Sequence, residues 1–497
     1  MRMKRIIVVV LVGLVALSAV LVVRAVLDVP VDDDRVERTA IADGFAEAEE
    51  RLAGAIRFPT ISSQDTSLVD TTAFLSLHAY LRDVYPGVFG TLRVERISGL
   101  SLLLTWEGST QDRPPVLLMG HLDVVPPGAD SLWVHPPFGG ERLDGFVWGR
   151  GTLDDKIGVV AALEAVERLI AEGYQPERTF YLAFGHDEEV GGSNGAAVIA
   201  DTLAARLDGK LSFVLDEGGF VGNGLLDGLD VPVALVGVAE KGYLTLELSA
   251  LAPGGHSSAP PEVTAVGRVS RAVARLEAKP FPARVDGATR AMFEHVRPYM
   301  GVTRRVIFSN LWLLEPLVRS LMAADAGAAA LIRTTTAATM IRGGVKENVL
   351  PTKATAIINF RILPGETIDT VTERVRRIID DPDVGIAPVN VYFDPSPVSD
   401  PAAPPFALVR RTVRETIDME DLVVTPFLVP AATDSRYFTG LSDNVYRFLP
   451  VVVGRDELET IHGAGERISA ENVRACAAFL YQLIRNTEQL KDGPADQ

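Results

Sequence analysis

The chain has 497 residues, and its 48 Lys+Arg against 65 Asp+Glu give a formal net charge of -17, which speaks against a nucleic-acid partner because phosphate binding draws on clustered cations. Hydrophobic residues at 47% and charged residues at 23% are the mixture of a folded protein of more than one domain. Cys476 is the one cysteine, so a disulfide framework and a cysteine-rich zinc module are excluded, and metal or nucleophile chemistry must use carboxylates, imidazoles or hydroxyls.

The first predicted element is a membrane span. Arg2, Lys4 and Arg5 precede an uncharged apolar run over residues 6–23, long enough to cross a bilayer. The basic flank on its N-terminal side, with acidic Asp32, Asp33 and Asp34 beyond it, places the N-terminus in the cytoplasm and the rest of the chain outside. A signal peptide cleaved near residues 16–19, leaving a secreted protein, is the alternative.

Four stretches then share one pattern, a short apolar run ending in polar residues able to bind metal. Residues 116–120 lead to His121 and Asp123, 146–151 to Asp154 and Asp155, 180–184 to Asp187, Glu188 and Glu189, and 211–215 to Asp216 and Glu217. Such runs, separated by helical segments such as 159–171, predict buried strands of a mostly parallel α/β sheet. Ligands bind beyond the carboxyl ends of such strands, so these side chains converge on one rim. Each acid taken singly is better read as solvated or as a helix cap. Together they repel one another unless a cation neutralises them. An oxygen-rich donor set with a few imidazoles and no thiolate suits Zn²⁺, with Mn²⁺ or Co²⁺ as alternatives, and two ions bridged by one carboxylate absorb the charge best.

Beyond Glu240 the pattern changes. Strands over 241–251, 331–341, 354–363 and 389–393 and helices over 263–279 and 367–380 give the order β-α-β-β-α-β, a ferredoxin-like α+β arrangement. An extra segment, residues 280–333, follows the first of those helices. The chain returns to the first domain near residue 397, with further strands around 444–453. The predicted organisation is therefore an anchor and stalk (1–34), a catalytic domain in two parts (35–239 and 397–497), and an inserted lid or dimerisation domain (240–396). Gly191-Gly192-Ser193-Asn194-Gly195 also matches G-x-S-x-G, with Asp434 and His462 following in triad order. A serine hydrolase using Ser193 is thus a second reading, and a non-catalytic binding protein on a hydrolase fold is a third.

His121-Leu122-Asp123, the segment 149–156, Gly185-His186-Asp187-Glu188-Glu189, Leu215-Asp216-Glu217-Gly218-Gly219 and Ile461-His462-Gly463 resemble, in order, the motifs of the M20 family of metallopeptidases and aminoacylases. Residues 255–261, 332–336 and 433–436 are similar to its carboxypeptidase S and N-fatty-acyl-amino-acid synthase/hydrolase branch. The resemblance implies a di-metal amide hydrolase acting on peptides from the C-terminus or on N-acyl, including N-fatty-acyl, amino acids. It implies that His121 and Asp216 hold one metal, that Glu189 and His462 hold the other, and that Asp154 bridges both and is followed by a cis peptide. Asp123 would fix the His121 tautomer, and Glu188 would be the general base for the attacking water. His256 would stabilise the oxyanion, in many members from a partner subunit, and the edge strand of the inserted sheet makes a homodimer one possible assembly. Asn348 and Arg361 would hold the substrate carbonyl or carboxylate. Without the resemblance, His256 reads as a surface or capping residue, and Arg361 equally as a strand-edge salt bridge or a carboxylate clamp. Asp155 and Glu217 match no ligand position and are expected to be structural. The extra segment 280–333 is expected to pack, with an acyl-binding wall or a membrane-facing patch as the alternatives, and it is one candidate cover for the edge of the inserted sheet.

Overall fold

With no proline and a single glycine to interrupt it, the N-terminal apolar run forms one helix, α1 (Arg2–Val26), in the computed structural model, which describes residues 2–27, 36–39, 41–110, 112–225 and 228–491. From Met3 to Val26 this helix is apolar enough to cross a membrane. The Asp32 to Asp34 stalk lies outside the described residues.

After the helix Ala48–Ile56, the folded body continues with α2 (Thr71–Val84), the antiparallel pair β1 (Arg93–Ile97) and β2 (Ser101–Trp106), and β3 (Val116–His121). It continues through α3 (Lys156–Ala171), β4 (Phe180–Gly185), β5 (Phe213–Asp216), β6 (Phe220–Gly222) and β7 (Val233–Glu240). After a long excursion the chain returns as β14 (Val423–Val429), β15 (Val445–Arg447), β16 (Val452–Val453) and α9 (Ala470–Asn486). These strands form a ten-stranded sheet in the order β1-β2-β4-β3-β5-β15-β7-β6-β16, with β14 beside β7. Its centre, β4-β3-β5-β15, is parallel, and these strands are buried on both faces, as their unbroken apolar runs require. The flanking pairs β2-β4, β15-β7 and β6-β7 are antiparallel, so the sheet is mixed where a mostly parallel one was expected. α3 is apolar nearly all round and lies buried between the sheet and α9.

One of the four runs does not join this sheet. Phe146–Trp148 pairs instead with Glu141–Leu143 and Arg467–Ser469 in a small three-stranded sheet. The run is cut short by Gly149 and Gly151, whose φ values of 143° and 89° turn the chain away, so Asp154 reaches the rim from a loop and not from a strand end.

The excursion contains β8 (Gly242–Leu251), β9 (Gly255–His256), α4 (Ala265–Glu277), α5 (Gly287–Val296), α6 (Val302–Phe308), α7 (Leu311–Met322), β10 (Thr335–Arg342), β11 (Val349–Leu350), β12 (Lys353–Ile362), α8 (Ile368–Ile379) and β13 (Val384–Pro388). Its four main strands form an antiparallel sheet in the order β10-β12-β8-β13. β12 alternates buried and half-buried residues, and its inner face packs under Val269 and Leu276 of α4 and Val371 and Val375 of α8. The last strand lies at Val384–Pro388 and not at 389–393. Asp380, at φ 44°, ends α8 and reverses the chain at once, while Phe393 makes only an isolated bridge to Tyr243. The extra segment leaves the edge of this sheet bare, since β10 is exposed from Ala337 to Arg342. It packs instead on the ten-stranded sheet, where Met292, Phe293 and Val318 close over Leu235 and Val423. Leu235 of β7 and Val423 of β14 are covered there, whereas Met340 and Ile341 of β10 stay exposed.

His78 of α2 is buried, and burial lowers its pKa to about 4, with Arg96 and Arg82 acting in the same sense. The native ring stays neutral while the unfolded chain takes up a proton below about pH 6.5. Stability is therefore expected to fall by up to about 3 kcal/mol as pH drops from about 6.5 to 4. Equilibrium unfolding across that range should show a slope that His78→Gln flattens.

Candidate metal centre

The strand ends deliver side chains to one rim. His121 is the last residue of β3, Glu188 and Glu189 occupy a short turn just beyond β4, Asp216 ends β5 with Glu217 next, and His462 sits in a loop near the C-terminal helix at φ 60°. Asp154 is the meeting point. Its Oδ1 lies 2.9 Å from His121 Nε2 and its Oδ2 lies 2.8 Å from His462 Nε2. Glu217 Oε1 approaches His121 Nε2 at 3.4 Å, and Glu189 Oε2 approaches His462 Nε2 at 3.3 Å. Two triads result, His121-Asp154-Glu217 and Asp154-Glu189-His462, each with one donor atom per residue mutually within 4.8 Å. The peptide between Asp154 and Asp155 is cis.

Asp216, expected as a ligand, belongs to neither triad. Asp216 is the last residue of β5 and Glu217 the first beyond it, and their carboxylates have different partners. The Asp216 carboxylate is turned into the protein, where it accepts the Ser435 N–H at 2.9 Å, and Glu217, expected to be structural, takes the place beside His121. Asp155 is structural as expected: it caps α3 by accepting the Gly158 N–H at 3.1 Å.

Asp123 does two jobs. The His121 Nδ1–H donates to the Asp123 carbonyl oxygen at 2.9 Å with the Asp123 carboxylate 3.4 Å away, which leaves Nε2 directed at Asp154 and Glu217. The same carboxylate accepts the N–H groups of Glu188 and Glu189 at 3.2 and 3.1 Å, fixing the turn that carries both.

The electrostatics of this rim fit divalent cations. Burial pushes the carboxyls of Glu188, Glu189 and Glu217 upward, Glu217 to about 8, and neighbouring acids add to the effect. His462 is raised to about 10 by its hydrogen bonds to Asp154 and Glu189. Burial opposes a charge on His121, yet Glu217, Asp123 and Asp154 outweigh it and hold that imidazole well above its ordinary value. The surrounding carboxylates thus favour positive charge at the two imidazoles, the charge that a metal would supply. Among the described residues the buried Glu189 Oε1 has no hydrogen-bond partner, so it is available to a cation.

Two residues that sequence reasoning did not assign hold the rim in place. The buried Arg150 and Glu466 side chains form an ion pair. Glu466 Oε1 accepts the N–H groups of Gly151, Leu153 and Asp154 at 3.0, 2.9 and 3.3 Å, and Arg150 Nη2 donates to the carbonyls of His462 and Gly463, both at 3.1 Å. Arg150 lay inside a quoted motif, but Glu466 carried no local signal.

His256 and Asn348 are brought together on a two-stranded ribbon, β9 with β11, where Ser257 N–H donates to the Asn348 carbonyl at 3.2 Å. His256 Nδ1 accepts the Ser258 N–H at 3.2 Å, so the neutral ring carries its proton on Nε2. None of the hydrogen bonds of His256 among the described residues reaches the two triads. Arg361 of β12 is half-buried over the Tyr243 ring, 4.7 Å from its centroid, and makes no ion pair among the described residues, so the strand-edge salt bridge is absent. Burial lowers its pKa. Ser193 is exposed on the loop before the helix Ala196–Ala204 and makes no hydrogen bond to His462, whose Nε2 faces Asp154 and Glu189. That geometry removes the serine triad.

The model of peptidase family M20/M25/M40 matches residues 117–486. The chain is 39% identical to a probable carboxypeptidase S-like protein of Dictyostelium discoideum over 89% of this chain and 85% of that one. It is 39% identical to an N-fatty-acyl-amino acid synthase/hydrolase of Xenopus tropicalis over 96% and 94% respectively. An M20 family metallo-carboxypeptidase from Sulfolobus solfataricus has a similar fold, with a TM-score of 0.63 at 18% identity, covering 88% of this chain and all but 2% of its own.

Glu217→Gln is expected to lose one of two bound metals, measured by elemental analysis of the purified protein, whereas Asp216→Asn retains both. Equal metal content in the two variants would contradict the assignment. Glu466→Ala leaves Arg150 buried and unpaired and is expected to cost roughly 3–5 kcal/mol, read as a lowered unfolding midpoint.

Proposed function

This chain belongs to peptidase family M20/M25/M40, and on that premise we propose that it is a membrane-anchored di-metal amide hydrolase cleaving peptides from the C-terminus or N-acyl, including N-fatty-acyl, amino acids. The observation that carries the reading is Asp154, whose two oxygens are divided between His121 and His462 at the shared edge of the two triads. His121, Asp154 and Glu217 would hold one ion and Asp154, Glu189 and His462 the other, with Zn²⁺ favoured and Mn²⁺ or Co²⁺ as alternatives. Bound there, such ions polarise the scissile carbonyl and make water acidic enough to be deprotonated near neutral pH.

Glu188 does the proton work. It stands next to Glu189 but in neither triad, and burial keeps its carboxyl pKa well above the usual range, which suits a base that must take a proton from water and release it to the leaving amine. His256 offers its Nε2–H to the developing oxyanion, and Asn348 beside it orients the substrate carbonyl. Arg361, a guanidinium with no ion-pair partner among the described residues, is matched to a free α-carboxylate. That preference favours C-terminal residues and N-acyl amino acids. The fatty-acyl class draws support from the Xenopus relative and from α1.

Residues 240–396, apart from the segment 280–333 that packs on the ten-stranded sheet, would act as the lid. Where the chain leaves and re-enters the ten-stranded body, Glu240 N–H donates to Ser396 Oγ at 2.8 Å and Ser396 N–H to the Glu240 carbonyl at 3.2 Å, so the two crossings form one hinge. The bare edge of β10 offers a strand for pairing with a second copy, which would make the homodimer. α1 would hold the catalytic domain outside the cytoplasm, and removal of the segment as a signal would give a secreted enzyme instead.

Glu188→Gln is expected to keep its metal and to lose hydrolysis of an N-acyl amino acid by roughly 10²–10⁴-fold. The test is kcat measured beside metal content, and near-normal turnover in a metal-loaded variant would refute the assigned base.

A further inference from the structure

The extra segment carries an apolar surface that its own packing leaves unused. On α7, Leu311 and Val318 are buried against the core that covers β14. The opposite, outward arc holds Trp312 (60% exposed), Leu313 (39%), Leu317 (46%) and Leu321 (59%). Leu313, Leu317 and Leu321 follow one another at helical four-residue spacing, Pro316 is also exposed, and Ser320 is the one polar residue among the exposed positions of α7. A helix apolar on both faces has two surroundings to satisfy, and the protein interior supplies only one. Val302, at the start of α6, is 77% exposed.

A second observation says what covers the other face. Asn310, between α6 and α7, donates its side-chain N–H to the Leu21 carbonyl of α1 at 3.0 Å, α1 lies against α6, and Ala25 is buried. The apolar helix and the bare arc are therefore neighbours. At 1.5 Å per residue, Leu21 stands about 7.5 Å below the C-terminal end of α1, and 24 residues rise about 36 Å against a hydrocarbon core of about 30 Å. The contact thus falls near the outer boundary of the bilayer that α1 would cross, the level at which tryptophan is enriched.

We propose that α6 and α7 form a membrane-seating surface, with Trp312, Leu313, Leu317 and Leu321 entering the outer interfacial layer beside α1 so that the body rests on the lipid. This rests on the reading of α1 as a retained anchor. The attachment is apolar, so it is insensitive to salt.

The test uses the full chain in phosphatidylcholine vesicles containing lipids brominated near the headgroup end of the acyl chains, which quench tryptophans at that depth. Of the four tryptophans, Trp106 is buried in the core, and Trp133 and Trp148 belong to the catalytic half of the chain. The expected result is a quenched component in the wild type, unchanged by 1 M salt and absent from Trp312→Phe. Equal fractional quenching in the two proteins overturns the proposal. Alkaline carbonate extraction run in parallel separates the causes: a chain retained by vesicles with Trp312 unquenched refutes the seating surface alone, whereas a chain that is extracted refutes the anchor and the seating with it. A disulfide forming between Leu317→Cys copies, with Trp312 unquenched, overturns the proposal in favour of a second protein copy on this face.

Discussion

The buried pair of Arg150 and Glu466 is the constraint on which the rest of the centre depends. Two charges withdrawn from water are costly, and a pair of this kind contributes little net stability. What it contributes is placement. One Glu466 oxygen gathers the N–H groups of Gly151, Leu153 and Asp154, and the Arg150 guanidinium gathers the carbonyls around His462. Segments more than three hundred residues apart in sequence are thereby fixed to each other at the point where Asp154 meets His462. Without the pair, each triad would lose the frame of its shared carboxylate. The adjoining half of the rim is fixed differently, by strand ends in a sheet whose register leaves no freedom, with Asp123 holding the Glu188-Glu189 turn.

A second buried pair, Glu240 with Arg447 at 3.0 Å, repeats the device at the start of the excursion. Glu240 ends β7 and also accepts the Thr433 N–H at 2.6 Å, while Arg447 lies opposite Asp216 in the β15-β5 register. The loop that receives the Asp216 carboxylate is thus tied to the residue at which the chain departs for the four-stranded unit.

The parts legible in the sequence were those governed by local pattern. Unbroken apolar runs at 116–120 and 180–184 identified central strands, and the β-α-β-β-α-β order of the excursion followed from alternation and helical spacing. His121, Asp154, Glu189 and His462 came from ordered motifs. What stayed hidden depends on geometry that spacing does not carry. Which of Asp216 and Glu217 lies beside His121 depends on how the chain turns at the end of β5, which spacing does not carry. The run at 146–148 was as apolar as its neighbours, and the glycines that divert it are equally compatible with a strand end. Glu466 acts across a sequence separation of 316 residues from Arg150, for which no window of sequence gives a sign. The destination of residues 280–333 is a property of the assembled fold.

That destination alters how the two bodies can move. The four-stranded unit joins the large sheet at Glu240 and Ser396, but α5 leaves it and lies on β14, with Thr425 donating to the Met292 carbonyl at 3.3 Å. The chain therefore crosses between the bodies four times, and the second pair of crossings, near residues 280–286 and 331–334, is braced by Lys241, whose ammonium donates to the carbonyls of Ala330 and Arg333 at 2.9 and 2.8 Å. A lid built from this unit would have to carry all four crossings with it, so its travel over the large sheet would be restricted, and the His256 ribbon with it.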